Sequence, residues 1–287
     1  GVMPSDMRAA SALHGVELDR ITSGIATQLY PEAKIARMGY QDYVIPDGYF
    51  DIAIGNPPFG ADKLYDGRRK DLSGFSIHNY FFARTVDALR PGGVMAMVVT
   101  NRFMDGASDK ARQYIADRAD LLGAIRLPND AFAKNAGTQV TTDIIFLRKR
   151  LPDEMPSAMN SSWLETVDFT DKNGKVVPLN KYFVTHPENM LGEFGAFGSM
   201  YREGDSALVA REGQNTSQLL GEAIQRLPEN IIKPVEVVKP ESRASVVAEN
   251  ARVGSVFLDG NNVMMRDSDE LGESRATAVS FPNEKAK

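Results

Sequence analysis

Short apolar runs alternate with longer stretches of helical spacing through the first 150 residues. The runs are His14–Leu18, Phe50–Gly55, Gly93–Val99, Leu121–Leu127 and Asp143–Leu147. Each is short enough for a strand, and the intervening stretches carry the 3.6-residue period of helices. One predicted helix runs from Asp19 to Tyr30 and stops at Pro31. A second runs from Ile77 to Leu89, before a helix stop and turn at Arg90-Pro91-Gly92-Gly93, and a third covers Asp109 to Asp120. Strand and helix in strict alternation predict a parallel α/β sheet wound on both faces.

Past Lys149-Arg150-Leu151-Pro152 the pattern changes, and a soft boundary is set near residue 151. It divides the chain into residues 1–150, the α/β part, and 151–287, a smaller mixed region. Asp171-Lys172-Asn173-Gly174 predicts a hairpin turn between short strands. Ala196–Gln214 is rich in glycine and polar residues, Thr216–Leu227 predicts a helix ended by Pro228, and Pro234–Pro240 is extended. The triplet Arg148-Lys149-Arg150 reads as a solvated strand end.

Composition narrows the chemistry. With 287 residues, 43% hydrophobic and 25% charged, the chain has ordinary globular make-up. Its lack of cysteine excludes disulfides, thiolate metal sites and cysteine nucleophiles. His14, His78 and His186 are too scattered to predict a metal site. No signal-peptide pattern and no bilayer-length apolar run is present, so no membrane role and a cytoplasmic location are expected. A net charge of -5 weighs against a broad nucleic-acid footprint but leaves room for a local basic groove.

The densest chemical signal is Asn56-Pro57-Pro58-Phe59, directly behind the run Phe50–Gly55. Ligands of doubly wound sheets bind at the carboxyl ends of strands, where this tetrapeptide falls. The prolines fix φ and stiffen the turn. They would hold the Asn56 side-chain oxygen and the Pro57 carbonyl as two acceptors facing one site. An amino group on a planar ring offers two N–H donors and a delocalised lone pair. Binding both hydrogens turns that lone pair toward an incoming methyl, and Phe59 offers a flat face for the base. The plain alternative is a proline-rich turn closing a strand. Glu17 ends an earlier run, where a carboxylate can accept both ribose hydroxyls of a nucleoside cofactor, the plain alternative being a solvated strand-end acid, and Asp19 is placed to cap the following helix.

The tetrapeptide resembles the catalytic motif of amino-group DNA methyltransferases, in the form usual for adenine. Ile77-His78-Asn79-Tyr80-Phe81-Phe82, Arg90-Pro91-Gly92-Gly93, Gly123–Pro128 and Ala136-Gly137-Thr138 to Thr142-Asp143 extend the likeness. In this order, over residues 13 to 150, they are similar to the large bacterial and mobile-element adenine methyltransferases, some fused to helicase-like modules. The resemblance implies a Rossmann-like methyltransferase fold and S-adenosylmethionine as cofactor. It gives Glu17 the cofactor ribose. In Gly39-Tyr40-Gln41-Asp42-Tyr43 it gives Asp42 the cofactor's adenine amine, unless Asp42 is only a surface turn acid.

Double-stranded DNA is the implied partner, with a helicase-like or specificity module, and the target adenine would be flipped from the duplex. Arg68 and Arg69 are candidates to grip phosphates beside it, or a solvated basic loop. Phe132 is a candidate for the base pocket, or a core side chain. The family's glycine-rich cofactor loop has no counterpart before Glu17. The chain is therefore expected to begin after that loop and the first strand, and to bind the cofactor poorly alone. Guanine amines in RNA, glutamine amides in protein, or a non-catalytic DNA-binding role are the competing expectations.

Overall fold

The computed structural model describes residues 12–60, 62–133, 139–198, 205–232, 254–259, 262–268 and 274–278. Gly1–Pro4, Ala136-Gly137-Thr138 and Pro234–Pro240 lie outside them. The chain divides into two compact units, Gly1–Pro234 and Val235–Lys287. The soft boundary at 151 falls inside the first unit. Trp163, Leu179, Phe183, Phe194 and Leu208 share one buried cluster with Phe82, Met97, Ile115 and Leu147. The second unit holds an antiparallel sheet of three strands, Val256–Asp259, Asn262–Ser268 and Ser274–Ala278.

The first unit opens with β1 (His14–Val16), helix α1 (Arg20–Leu29) and β2 (Lys34–Ala36), the two strands pairing in parallel. Asp19 caps α1, its carboxylate accepting from the Thr22 amide at 2.7 Å. The central sheet has four strands in the order β3 (Phe50–Gly55), β4 (Leu89–Thr100), β6 (Thr142–Lys149) and β5 (Ala119–Leu127). Strands β3 and β4 are parallel across helix α2 (Ile77–Ala88), whereas β6 lies antiparallel between β4 and β5. The sheet is thus mixed rather than parallel. The short β5–β6 connection reverses direction, whereas a parallel partner would need a crossover.

The expected turn at Arg90-Pro91-Gly92-Gly93 is drawn into the start of β4, with Gly92 at φ 76°. A Cβ on Gly93 would sit 2.9 Å from the Asp51 carbonyl oxygen, so the two backbones approach as only glycine permits. The third expected helix shortens to α4 (Lys110–Ala116), after a single turn α3 (Arg102–Asp105), because β5 starts earlier, at Ala119.

Helix α2 is buried on opposite sides. Phe82 and Val86 join the main core, while Tyr80 and Ala83 pack with Leu72 and Leu64 of the segment between β3 and α2. After β6 come α5 (Met159–Leu164), the hairpin β7 (Thr166–Thr170) and β8 (Val176–Asn180), then α6 (Lys181–Thr185). Strands β9 (Glu193–Gly198) and β10 (Asp205–Val209) and helix α7 (Thr216–Gln225) complete the unit. Asp171 closes the hairpin turn by accepting from the amides of Asn173, Lys175 and Ala196.

Side chains stand in for a further strand along β5. The Asn160 amide oxygen accepts from the Leu121 amide, and the Tyr182 hydroxyl from that of Ala124, both at 3.1 Å. This covers an edge that would otherwise invite pairing. Strand β3 differs. Among the described residues it pairs only with β4, and Ile54 on it is 70% exposed.

Candidate active site

Strand β3 delivers Asn56-Pro57-Pro58-Phe59 to its carboxyl end. Asn56 is exposed, Pro57 buried and Phe59 38% exposed, so the turn is anchored at one proline and offers an amide and a ring outward. Gly55 precedes it where a Cβ would lie 2.8 Å from the Met97 sulfur, a close approach to β4 that seats the turn. The turn is held from the other side by α2. His78 Nδ1 donates to the Gly60 carbonyl at 3.2 Å and the Ile77 amide to the Asp62 carbonyl at 2.7 Å. Since a carbonyl only accepts, Nδ1 carries the His78 proton, and Nε2 faces the Ser76 hydroxyl at 3.4 Å. Burial lowers the His78 pKa, which keeps the ring neutral.

Glu17 follows β1 directly. Its Oε1 accepts from the Asp19 amide at 2.9 Å and its own amide bonds the Ala36 carbonyl, fixing the carboxylate beside the start of α1. The His14 ring packs edge-on against Tyr49 and Phe50, so β1 and β3 begin side by side. Asp42 lies in the turn after β2, exposed, accepting from the Gln41 side chain at 3.0 Å. Glu17 and the tetrapeptide thus each follow a strand's last residue directly, whereas Asp42 lies six residues beyond β2, next to Gln41, whose carbonyl accepts from Arg68. A half-buried carboxylate with one oxygen tied to backbone suits a pair of vicinal hydroxyls, and an exposed one suits an amine.

Arg68 and Arg69 are placed elsewhere. Arg68 bonds the Gln41 carbonyl at 2.8 Å. Arg69 pairs with Asp71 at 2.9 Å and Asp87 at 2.6 Å and donates to the Tyr114 hydroxyl at 2.7 Å. Asp87 ends α2, where its carbonyl accepts from Gly48 just ahead of β3. Arg69 therefore sits at the opposite end of β3 from Asn56, roughly 20 Å away for a strand of that length. A cavity of about 280 Å³ opens there, lined by Asp47, Asp66, Arg69 and Arg84 among others. Arg84 there pairs with Asp47 and bonds the Ile45 carbonyl. Phe132, on the β5–β6 connection, packs with Ile125, Leu127 and Ala223, three strand positions from β3.

One feature at the carboxyl ends of β4 and β5 had only a faint sequence signal, a charge inside the run Leu121–Leu127. Arg126 is fully buried and forks onto Asp143 (2.7 and 2.9 Å) and Asp105 (2.8 and 3.0 Å), with Phe183 4.2 Å from its guanidinium. Burial pushes the Asp143 carboxyl up to about 6, against the pull of Arg126. The node ties the segments that leave β4 and β5 and enter β6. Arg148 and Arg150, expected to be solvated, are instead largely buried and pair with Asp120 and Glu154. Lys149 bonds the Val86 and Asp87 carbonyls at the end of α2.

The profile of the Eco57I restriction-modification methylase family matches residues 13–132, a span holding Glu17, Asp42 and Asn56–Phe59. Over that span the chain is similar to that family. The chain is also similar to the defense against restriction protein B of Escherichia phage P1. That match is 28% identical over 159 residues, 54% of this chain and 7% of the phage protein. The type I restriction enzyme EcoEI methylase subunit of Escherichia coli is 28% identical over 112 residues, 37% of this chain and 22% of that subunit. The chain thus spans less than a quarter of either relative. The type I restriction enzyme EcoKI M protein superposes with a TM-score of 0.41 at 15% identity, over 78% of this chain and 60% of that one. In the first unit, helices pack on both faces of the central mixed sheet.

Proposed function

We propose that this chain supplies the catalytic face of a DNA methyltransferase acting on the exocyclic amine of an adenine turned out of the duplex. The observation that carries the reading is Asn56-Pro57-Pro58-Phe59 at the carboxyl end of β3, buried at Pro57 and open at Asn56 and Phe59. In this reading the Asn56 side-chain oxygen and the Pro57 carbonyl accept the two amine hydrogens, and Phe59 stacks on the base. Glu17 holds the ribose hydroxyls of S-adenosylmethionine and Asp42 its adenine amine. When bound, that cofactor supplies an electrophilic methyl group. The protein's part is positioning and polarisation, which are large terms when the acceptors are fixed in advance. Duplex DNA, and subunits of the kind found in restriction-modification systems, are the proposed partners.

The test is methyl transfer to adenine-containing duplex DNA by the natural full-length chain and its Asn56→Ala variant. Asn56 is exposed, so the variant keeps its fold while methylation is lost. Near-normal methylation by it overturns the assignment. Parallel assays on structured RNA and on protein separate the DNA reading from related amine and amide substrates.

A further inference from the structure

We propose that His78 is a positioning residue, which tethers the backbone just behind Phe59 and so holds that ring in place for the target base. The proposal rests on the stacking role assigned above to Phe59. The turn is asymmetric about that ring. Ahead of Phe59 stand Pro57 and Pro58, whose own rings fix φ. Behind it stands Gly60, the residue type with the least conformational restraint. With 38% of its surface exposed, Phe59 has too few neighbours to be placed by packing alone. A flat ring hung between a stiff segment and a swivel needs the swivel pinned.

His78 supplies the pin. Its Nδ1 donates to the Gly60 carbonyl at 3.2 Å. The opposite nitrogen, Nε2, faces Ser76 Oγ at 3.4 Å, where the hydroxyl can donate. The imidazole is therefore held at both nitrogens. It stands on the first turn of α2, a helix whose Phe82 and Val86 sit in the main core, so the tether is fastened to a rigid element. Beside it, the Ile77 amide bonds the Asp62 carbonyl at 2.7 Å and anchors the chain two residues further on. Crowding does not do the same work. A Cβ on Gly60 would lie 3.6 Å from Asp62 Oδ2 and Ile77 Cγ2, which is ordinary contact, and the residue's φ lies outside the left-handed region. The freedom of Gly60 is thus checked by the hydrogen bond, and an alanine would fit in its place.

The experiment compares three variants in the natural full-length chain. His78→Leu has no donor, whereas His78→Asn places an amide nitrogen where Nδ1 lies. The third joins His78→Leu to Gly60→Ala, which stiffens the swivel by other means. Methyl transfer to adenine-containing duplex DNA gives kcat and the KM for S-adenosylmethionine, and hydrogen exchange read by mass spectrometry follows the peptide around Phe59 and Gly60. His78→Leu is expected to lose roughly tenfold in kcat at unchanged KM, the rate equivalent of one well-made hydrogen bond, and to exchange faster in that peptide. His78→Asn is expected to stay within a few-fold of the parent, and Gly60→Ala to recover part of the loss. Parent-like turnover in His78→Leu overturns the proposal. So does a His78→Asn variant as slow as His78→Leu, which assigns the ring to proton transfer or packing instead. Either result with an active parent counts against His78 alone. A parent that does not methylate adenine removes the functional reading, and the proposal with it.

Discussion

At the scale of single residues, the turn Asn56–Phe59 stands out in the sequence because its residue types are rare together, and the task proposed for each can be tested one side chain at a time. Phe59 offers the clearest graded test. If its ring carries the base, Phe59→Ala weakens binding of DNA with a mismatched adenine by about 1–3 kcal/mol, while Phe59→Tyr and Phe59→Trp keep most of it. Equal losses in all three, measured by fluorescence anisotropy, would rule out stacking. Asp171 gives a test of a structural carboxylate. The Ala196, Lys175 and Asn173 amides hold its pKa below the usual range. A depressed folded-state pKa contributes stability above the unfolded value of ~3.9 that disappears as pH falls through the folded value. Thermal melts should therefore find Asp171→Asn less stable than the parent at neutral pH, with the gap closing in acid. A gap that persists at the lowest pH would assign the loss to geometry instead of charge.

Elements were legible where the apolar period was strong and blurred where pairing decides. Helix α1, its Asp19 cap and the hairpin at Asp171–Gly174 follow from local signals. The fate of Arg148 does not: it is read as solvated until β5 is laid against β6, which puts Asp120 opposite it. The same holds for Arg126, whose partners come from two other elements, at Asp105 and Asp143. Removing that guanidinium leaves two buried carboxylates facing each other. Arg126→Met should cost about 3–5 kcal/mol in urea unfolding, far more than an apolar swap of similar size at the surface. A loss under ~1 kcal/mol would mean that water reaches the node freely.

For the whole molecule, composition and period gave the α/β class, but not where the first unit ends. The reason is that residues 151–234 bring little periodicity of their own and contribute large core side chains, Trp163 and Phe183 among them. Two shortened chains separate the possibilities. One ending at Pro234 should melt as the first unit does in the full chain. One ending at Arg150 strips those side chains from the core and should fail to give a cooperative transition by calorimetry. Cooperative melting of the shorter chain would restore a boundary near 151. The side of β3 that takes no strand among the described residues has a consequence of a different kind. Along a strand, successive amides point to alternate sides, so every second N–H of β3 faces away from β4. Those protons should trade with heavy water at nearly unfolded-chain rates while their neighbours stay protected for far longer. Such a split clock inside one six-residue strand would fall silent the moment any extended segment settled alongside. The exchange pattern of Phe50–Gly55 therefore lets the protein report its own state of assembly.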